Sequence, residues 1–260
     1  MADHELHVLN CGTLTFPRYG IYYNGGEEEI TVPIPAYLLT HPEGHVVYDT
    51  GFPLACATDP HHFAEPLWGY KPGMTRENHI VEQVKAAGFD EDQIRYVVQT
   101  HLHFDHVGAI GHFKDSEFLI HRDDWDYAHN ADWFIEFAYP AADIDQDGVR
   151  WKFLDDLNTE NEHDVYGDGR IRLVQSPGHS PGMLSLIAEL DESSVLLTGD
   201  AVVTVEHWRD EALPWFLDAP ACARSTARLR QIAQDNDIDA DHVIFGHDAE
   251  QYARLESLYS

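Results

Sequence analysis

His101-Leu102-His103-Phe104-Asp105-His106 is the stretch from which the fold and the chemistry of this 260-residue chain can be worked out. Three histidines and an aspartate fall within six residues, directly after the apolar, β-branched segment 95–99, which we predict to be a strand. Neutral imidazole and carboxylate suit Zn²⁺ and similar divalent ions. Because loops at the ends of buried strands present functional groups on a rigid scaffold, the stretch predicts a metal site.

The two halves of this stretch predict two metal ions rather than one. His101 and His103 alternate by two, so on extended backbone both face the same side. Asp105 and His106 begin a predicted helix over 105–113 and should point elsewhere. Each pair could hold one ion, with further ligands and a shared carboxylate. In two-metal hydrolases the ions lie roughly 3.5–4 Å apart, a gap that one carboxylate can span.

Three further apolar strands end in the same kind of residue. The predicted strands 170–175, 194–197 and 242–245 lead into His179, Asp200 and His247. If these endings lie on one side of the fold, their side chains can converge on the stretch 101–106. The remaining histidines are interpreted as surface or core residues, because a lone histidine is seldom a ligand.

The rest of the chain predicts a layered α/β fold. The first part offers strands at 5–9, 31–39 and 45–48, then a helix at 79–87 before the strand 95–99. The second part offers strands at 170–175, 183–189 and 194–197, a helix at 221–233 and a last strand at 242–245. Hairpin strands followed by alternating strands and helices predict a sandwich in a single domain over 1–260.

The charge is strongly negative, with 46 acidic against 16 basic residues and a formal net charge of −30. Such a field repels nucleic acid and anionic membranes, which counts against a nuclease. Acid excess combined with only four lysines favours a halophilic protein over an ordinary acidic cytosolic one.

The sequence also predicts a cytoplasmic location. No apolar run reaches the roughly 18 to 20 residues that span a bilayer, and the first residues lack the features of a signal peptide. Cys11, Cys56 and Cys222 form no C-x-x-C pair and are predicted to be free thiols.

Taken together, the motifs resemble those of the metallo-β-lactamase superfamily along nearly the whole chain. They are Asp49-Thr-Gly51, His101-x-His-x-Asp-His106, Pro-Gly-His179, Thr-Gly-Asp200 and Gly-His247. The resemblance implies an αββα sandwich with two divalent metal ions, for which Zn²⁺ is the default and Fe, Mn or Co would also fit. It implies one ion on His101, His103 and His179, another on Asp105, His106 and His247, and a bridge formed by Asp200. Asp49 would orient a ligand without touching either ion.

Several branches of the superfamily are disfavoured by the sequence. The redox diiron branch has glutamate in place of His103. The antibiotic-degrading branch is secreted and usually lacks the pair Asp105 and His106. Glyoxalase II carries a C-terminal helical extension, for which too few residues follow His247. The segments around His179, Asp200 and Gly246-His-Asp-Ala-Glu-Gln251 instead resemble the N-acyl-homoserine lactonase branch.

That resemblance implies a hydrolase that opens a lactone ring, with N-acyl-homoserine lactones as first candidates and quorum quenching as the role. A hydroxide between the two ions would attack, with Asp105 and Asp200 as catalytic residues. Two alternatives stay open: hydrolysis of another lactone or ester, such as pyridoxolactone, and a non-catalytic metal-binding module. The expected partner is a small lactone or ester, not nucleic acid or a membrane, and a homodimer is left open.

One departure concerns the substrate. Lactonases of this branch carry a tyrosine three positions after the bridging aspartate, where this chain has Val203. Valine has no hydrogen-bond donor, so another group does this work or the substrate differs. The candidate replacements are Tyr22, Tyr23, Tyr70 and His207.

Two aromatic-rich stretches could form either a substrate pocket or ordinary core. The first comprises Phe52, Phe63, Trp68, Tyr70 and Met74. The second comprises Trp125, Tyr127, Trp133, Phe134, Phe137 and Tyr139. Neither is assigned to the site from sequence.

Overall fold

The computed structural model describes residues 4–59, 61–63, 67, 69–214 and 217–260. Within these ranges the strands form two sheets. They are β1 Leu6–Pro17, β2 Glu29–Leu39, β3 His45–Tyr48, β4 Lys71–Gly73, β5 Ile94–Val98, β6 Glu117–Ile120, β7 Arg150–Phe153, β8 His163–Asp164, β9 Ile171–Gln175, β10 Leu184–Glu189, β11 Ser194–Leu197, β12 Val243–Ile244 and β13 Leu258–Tyr259. The helices are α1 Ile80–Ala86, α2 Arg122–Ala128, α3 Ala141–Ile144, α4 Val205–Trp208, α5 Ala219–Asp235 and α6 Ala249–Tyr252.

The two sheets differ in how their strands pair. The first has the order β13-β1-β2-β3-β5-β6-β7, with β4 added beside β1. It is antiparallel from β13 to β3 and parallel from β3 to β7. The second has the order β12-β11-β10-β9-β8, and only β11 and β12 pair in parallel among its described strands. Parallel neighbours end at the same edge of their sheet, so the loops after β3 and β5 lie together in the first sheet and those after β11 and β12 lie together in the second.

Apolar side chains form three buried layers. Between the sheets, Tyr48 and Val98 of the first belong to one cluster with Leu184 and Leu197 of the second. The outer face of the first sheet packs with α1 through residues such as Val84. The outer face of the second packs with α5. This is the αββα sandwich that the sequence resemblance implies. No helix in the described ranges is both long and apolar enough to cross a bilayer.

The helix α5 shows how local sequence produces one of these layers. Asp218 caps its start, its carboxylate accepting a hydrogen bond from the Ala221 amide at 2.9 Å. Leu229 and Ile232 then recur at helical spacing and are buried against the second sheet. The predicted helix at 221–233 is thereby confirmed, with two further residues at each end.

The helix predicted over 105–113 is wrong, because these residues form turns. The backbone there makes only i→i+3 turn bonds, such as the one from the His112 amide to the Ala109 carbonyl at 3.0 Å, and otherwise bonds to the loop after β3. The Thr50 amide donates to the His106 carbonyl at 2.9 Å, and the Gly108 amide donates to the Gly51 carbonyl at 2.8 Å. A Cβ on Gly108 would lie 1.9 Å from the Phe52 carbonyl carbon. Close contact between the two loops thus replaces helical hydrogen bonding.

Candidate metal centre

The structure brings all seven sequence-predicted ligands to one edge of the sandwich. The stretch 101–106 follows β5, while His179 follows β9, Asp200 follows β11 and His247 follows β12. Every one of them is buried except His179, which is partly exposed. Their ligand atoms fall into three overlapping groups in which all the atoms lie within 4.8 Å of one another. Those groups are His101-His103-His179, His101-His106-Asp200 and Asp105-His106-His247.

The first set consists of three imidazole rings. His103 Nδ1 lies 3.0 Å from His101 Nε2 and 3.0 Å from His179 Nε2. Burial lowers the pKa of His101 and of His103 well below the ordinary value, so both rings are neutral. His103 Nδ1 cannot satisfy both neighbours with its single hydrogen. Three nitrogen atoms at this separation fit a shared cation, which would accept their lone pairs.

The second set combines two imidazole rings with a carboxylate. Asp105 Oδ2 lies 3.6 Å from His106 Nε2 and 3.7 Å from His247 Nε2. Both Nε2 atoms and Asp200 Oδ1 are buried and make no hydrogen bond of acceptable geometry to any described residue. Because buried polar atoms are normally satisfied, this group also fits a bound cation.

The Asp200 carboxylate lies between the two sets. Its Oδ2 is 3.4 Å from His179 Nε2, and its Oδ1 is 3.2 Å from His247 Nε2 and 3.8 Å from His106 Nε2. Although burial raises the pKa of Asp200, the surrounding imidazoles hold it well below the ordinary value. Asp200 is therefore ionised, and each of its two carboxylate oxygens faces a different set.

Asp49 orients histidines from both sets. Its Oδ2 accepts a hydrogen bond from His106 Nδ1 at 2.8 Å, so Nε2 is the ring nitrogen that faces the site. Thr100 donates its hydroxyl hydrogen to the same carboxylate at 2.9 Å. Its Oγ1 must then accept from His101 Nδ1, also at 2.9 Å, so His101 likewise presents Nε2. This is the orienting role that the resemblance implies for Asp49.

Negative charge is concentrated around His106. Burial lowers its pKa, but the carboxylates of Asp105, Asp49 and Asp200 outweigh that effect and raise the pKa to about 10. A site that stabilises a proton so strongly has a potential that also attracts a metal cation.

Asp124, in α2, was missed by the sequence analysis. It is fully buried, and its carboxylate accepts hydrogen bonds from the Leu102 amide at 3.1 Å, the Gly182 amide at 3.2 Å and the Ser180 hydroxyl. Leu102 separates two ligand candidates of the first set, and Ser180 follows the third candidate, His179. Asp124 therefore fixes both loops of that set. The sequence signals Asp124 only indirectly, through the glycine of the Ser180-Pro-Gly182 motif. A Cβ on Gly182 would lie 2.4 Å from the Asp124 nitrogen, so glycine is needed where the loop meets α2.

A cavity of about 370 Å³ opens onto the centre. Its floor carries ligands from both sets, and its walls are mainly apolar. The apolar and aromatic lining consists of Leu14, Phe16, Tyr19, Gly20, Ile21, Val32, Leu67, Tyr70, Phe104, Phe134, Ile135, Phe137, Ala138 and Val203. The arrangement suits a ligand that has one polar end and an apolar tail.

The structure divides the two aromatic-rich stretches between pocket and core. Tyr70, Phe134 and Phe137 line the cavity. Most of the others belong to or pack against the core: Phe52, Phe63, Met74, Trp125, Tyr127 and Tyr139. Trp133 is 82% exposed, and Trp68 lies outside the described residues. Only a minority of these side chains can therefore touch a ligand in the cavity.

Comparison with known proteins gives consistent matches. The family model described as the metallo-beta-lactamase superfamily matches residues 31–255. The N-acyl homoserine lactonase AttM of Rhizobium radiobacter is 39% identical over 260 residues, covering 98% of this chain and 97% of that protein. The N-acyl homoserine lactonase AiiA of Bacillus thuringiensis subsp. kurstaki is 31% identical over 226 residues, covering 85% and 84%.

Solved structures match along the same length. An N-acyl homoserine lactone hydrolase with the product N-hexanoyl-L-homoserine bound at its catalytic metal centre superimposes with a TM-score of 0.86. It is 27% identical and covers 98% of each chain. An AiiA variant of B. thuringiensis with N-decanoyl-L-homoserine at its active site also gives a TM-score of 0.86, at 27% identity and 98% coverage of each chain.

Proposed function

The chain belongs to the metallo-β-lactamase superfamily, and on that premise we propose that it is a metal-dependent lactonase that opens the ring of N-acyl-homoserine lactones. The observation that carries the proposal is the placement of two ligand sets beneath an apolar cavity, with members of both sets on its floor. A homoserine lactone with its acyl tail has the matching polarity. The names of AttM and AiiA, which are similar along most of the chain, support the same reaction. Its consequence would be quorum quenching.

We further propose two divalent cations, with Zn²⁺ as first candidate and Fe, Mn or Co fitting the same nitrogen and oxygen ligands. The first set would hold one cation and the second set the other. Asp200 would contribute one oxygen to each. The first cation is supported by the close approach of the His101, His103 and His179 ring nitrogens. The second is supported by His106 Nε2, His247 Nε2 and Asp200 Oδ1, which are buried and make no hydrogen bond within the described residues.

The cations, when bound, would polarise the lactone carbonyl and increase the acidity of a water molecule. The chain's own residues have separate tasks. Asp49 fixes the His106 ring, and the apolar walls exclude bulk water and so strengthen the electrostatic interactions at the floor. Asp105 places a carboxylate on the cavity floor, where it can hold the proton that the attacking water loses. Asp200, whose pKa lies well below the ordinary value, stays ionised and would hold the two cations in place.

A substrate panel tests the proposal. Metal-loaded protein is offered N-hexanoyl-homoserine lactone, pyridoxolactone, other lactones and simple esters, with base uptake followed in a pH-stat. We expect base uptake with the acyl-homoserine lactone and a product heavier by one water. Hydrolysis of another lactone or ester in preference would favour the alternative substrate class. Failure to open any lactone would reject the lactonase proposal.

We predict that Phe134 contributes to recognition of the acyl tail. It lines the cavity and is 46% exposed, so it lies where a long tail would leave the cavity. Phe134→Ala should raise KM about 5-fold for a decanoyl substrate and hardly change it for a butanoyl one, because only the long tail reaches this ring. Leu213→Ala, an exposed residue outside the lining, is the control. Equal effects on both chain lengths would contradict the prediction.

We also propose that the protein depends on salt. The exposed pairs Lys71–Glu29 and Arg95–Glu43 lose attraction as salt rises, but such pairs contribute little. Salt also screens the repulsion among the negative charges that give the protein its net charge of −30. This effect stabilises the folded state, and it is the larger of the two. Raising KCl from low to molar concentration should therefore raise Tm by several degrees. An unchanged or falling Tm would contradict the halophilic interpretation.

A further inference from the structure

In the described lining of the substrate cavity, the position three residues after Asp200 carries no hydrogen-bond donor. Val203, the residue found where the lactonase branch has tyrosine, is 4% exposed and lines the cavity together with Asp200. An acyl-homoserine lactone carries carbonyl oxygens that lose water when the substrate enters an apolar cavity. A buried carbonyl left without a donor weakens binding. We therefore look for another side chain of the lining that can supply this hydrogen bond.

Three of the four candidate replacements lie outside the described lining of the cavity. The Tyr22 hydroxyl donates to Glu206 Oε2 at 3.3 Å. The His207 ring is buried, with its Nδ1 3.2 Å from Thr204 Oγ1. Tyr23 is 58% exposed. Only Tyr70 among the four lines the cavity.

The composition of the lining leads to the same residue. Once the metal-ligand candidates are set aside, Tyr19 and Tyr70 are the polar side chains of the described lining. Tyr19 is 48% exposed, so water competes for its hydroxyl. Tyr70 is partly buried. No described residue forms a hydrogen bond with its hydroxyl.

The Tyr70 ring is held firmly in position. It stacks on Phe16, with ring centroids 5.2 Å apart, and meets the edge of Phe104 at 5.9 Å. Phe104 lies in sequence between the ligands His103 and Asp105, so the phenol is anchored to the loop that carries the metal centre. A Cβ on Gly20 would lie 3.0 Å from the hydroxyl, and glycine keeps this side open. Burial, with contributions from Tyr19 and Asp105, raises the pKa of Tyr70 to about 12, so the hydroxyl keeps its hydrogen at neutral pH.

We propose that Tyr70 determines substrate specificity by donating a hydrogen bond from its hydroxyl to a carbonyl oxygen of the acyl-homoserine lactone, the interaction that Val203 cannot make. This inference rests on the proposed lactonase function. A partly buried donor in an apolar wall favours a substrate that carries a carbonyl at that position over an apolar analogue, because only the former satisfies the donor. The acceptor is the amide carbonyl of the acyl tail or the lactone carbonyl itself.

Tyr70→Phe tests the proposal because it removes the hydroxyl and keeps the ring packing. We expect kcat/KM for N-hexanoyl-homoserine lactone to fall about 10-fold, the effect of one lost hydrogen bond to substrate. Tm and metal content should match those of the wild type. Tyr23→Phe, which removes an exposed hydroxyl outside the lining, should keep wild-type kinetics. Adding Val203→Tyr to Tyr70→Phe should recover most of the loss.

A γ-lactone of matched chain length, which has no amide, identifies the acceptor. If its hydrolysis is unaffected by Tyr70→Phe, the hydroxyl binds the amide carbonyl. An equal loss on both substrates places the bond at the lactone carbonyl, and either result supports the proposal. The comparison of the two substrates uses only the wild type and Tyr70→Phe, so it does not depend on whether the Val203→Tyr variant folds.

Two negative results have different meanings. If wild-type protein opens lactones and Tyr70→Phe keeps its kcat/KM on both substrates, the role of Tyr70 is overturned and the lactonase function stands. If the metal-loaded wild type opens no lactone, the proposed function fails and the role of Tyr70 fails with it.

Discussion

Asp200→Asn should abolish lactone hydrolysis, with kcat/KM reduced by roughly 10³-fold or more. One Asp200 oxygen faces His179, and the other faces His247 and His106. An asparagine amide keeps the shape but loses the charge. It also offers one oxygen where two are needed, so its NH₂ group turns donor hydrogens toward one of the two ligand sets. The measurements are kcat/KM for an acyl-homoserine lactone and the number of metal ions per chain, which should fall from two to one or fewer.

The control for Asp200→Asn is the same substitution at Asp143. Asp143 is partly buried, and its nearest ion-pair partner is His62, at 3.9 Å, outside the ligand groups. Asp143→Asn should keep two ions per chain and near wild-type turnover. An Asp200→Asn protein that binds two ions and keeps a tenth of the activity would contradict the bridging role.

Much of the fold could be predicted because its signals are local. The strands at 45–48 and 194–197 were predicted with the bounds that the structure has, since β-branched and apolar runs there end abruptly at polar or glycine residues. The strands β6 and β7 were not predicted. Each has four residues, and their order in the sheet depends on partners elsewhere in the chain. The wrong helix at 105–113 has a similar cause, since contacts with the loop after β3 override local preference.

The site shows the same division between local and distant information. The seven ligand candidates could be found because histidine and aspartate follow buried strands, a pattern that one segment displays by itself. Asp124 could not be found in this way, because it is one of 46 acidic residues. Its partners Leu102 and Gly182 lie 22 and 58 residues away along the chain. Only the folded arrangement shows that it joins two ligand loops.

Asp124→Ala should weaken metal binding by the first set about 10- to 100-fold, the range typical of residues that hold ligands in place. The Leu102 and Gly182 amides and the Ser180 hydroxyl would lose their acceptor, and the loops of His101, His103 and His179 would no longer be tied together. Buried donors without an acceptor should also cost roughly 1–3 kcal/mol of unfolding free energy. Stepwise titration with Co²⁺ against a competing chelator measures the affinity of each ion, and urea unfolding measures stability.

Two comparisons separate this positioning role from general destabilisation. Asp123→Ala changes the neighbouring residue of α2, whose side chain is 60% exposed, and should leave both metal affinities unchanged. His247→Ala removes a candidate ligand of the second set and should weaken the other ion instead. General destabilisation by Asp124→Ala would weaken both ions to a similar degree. If Asp124→Ala weakens the binding of one ion only, and His247→Ala weakens the binding of the other, Asp124 acts through the loops of the first set.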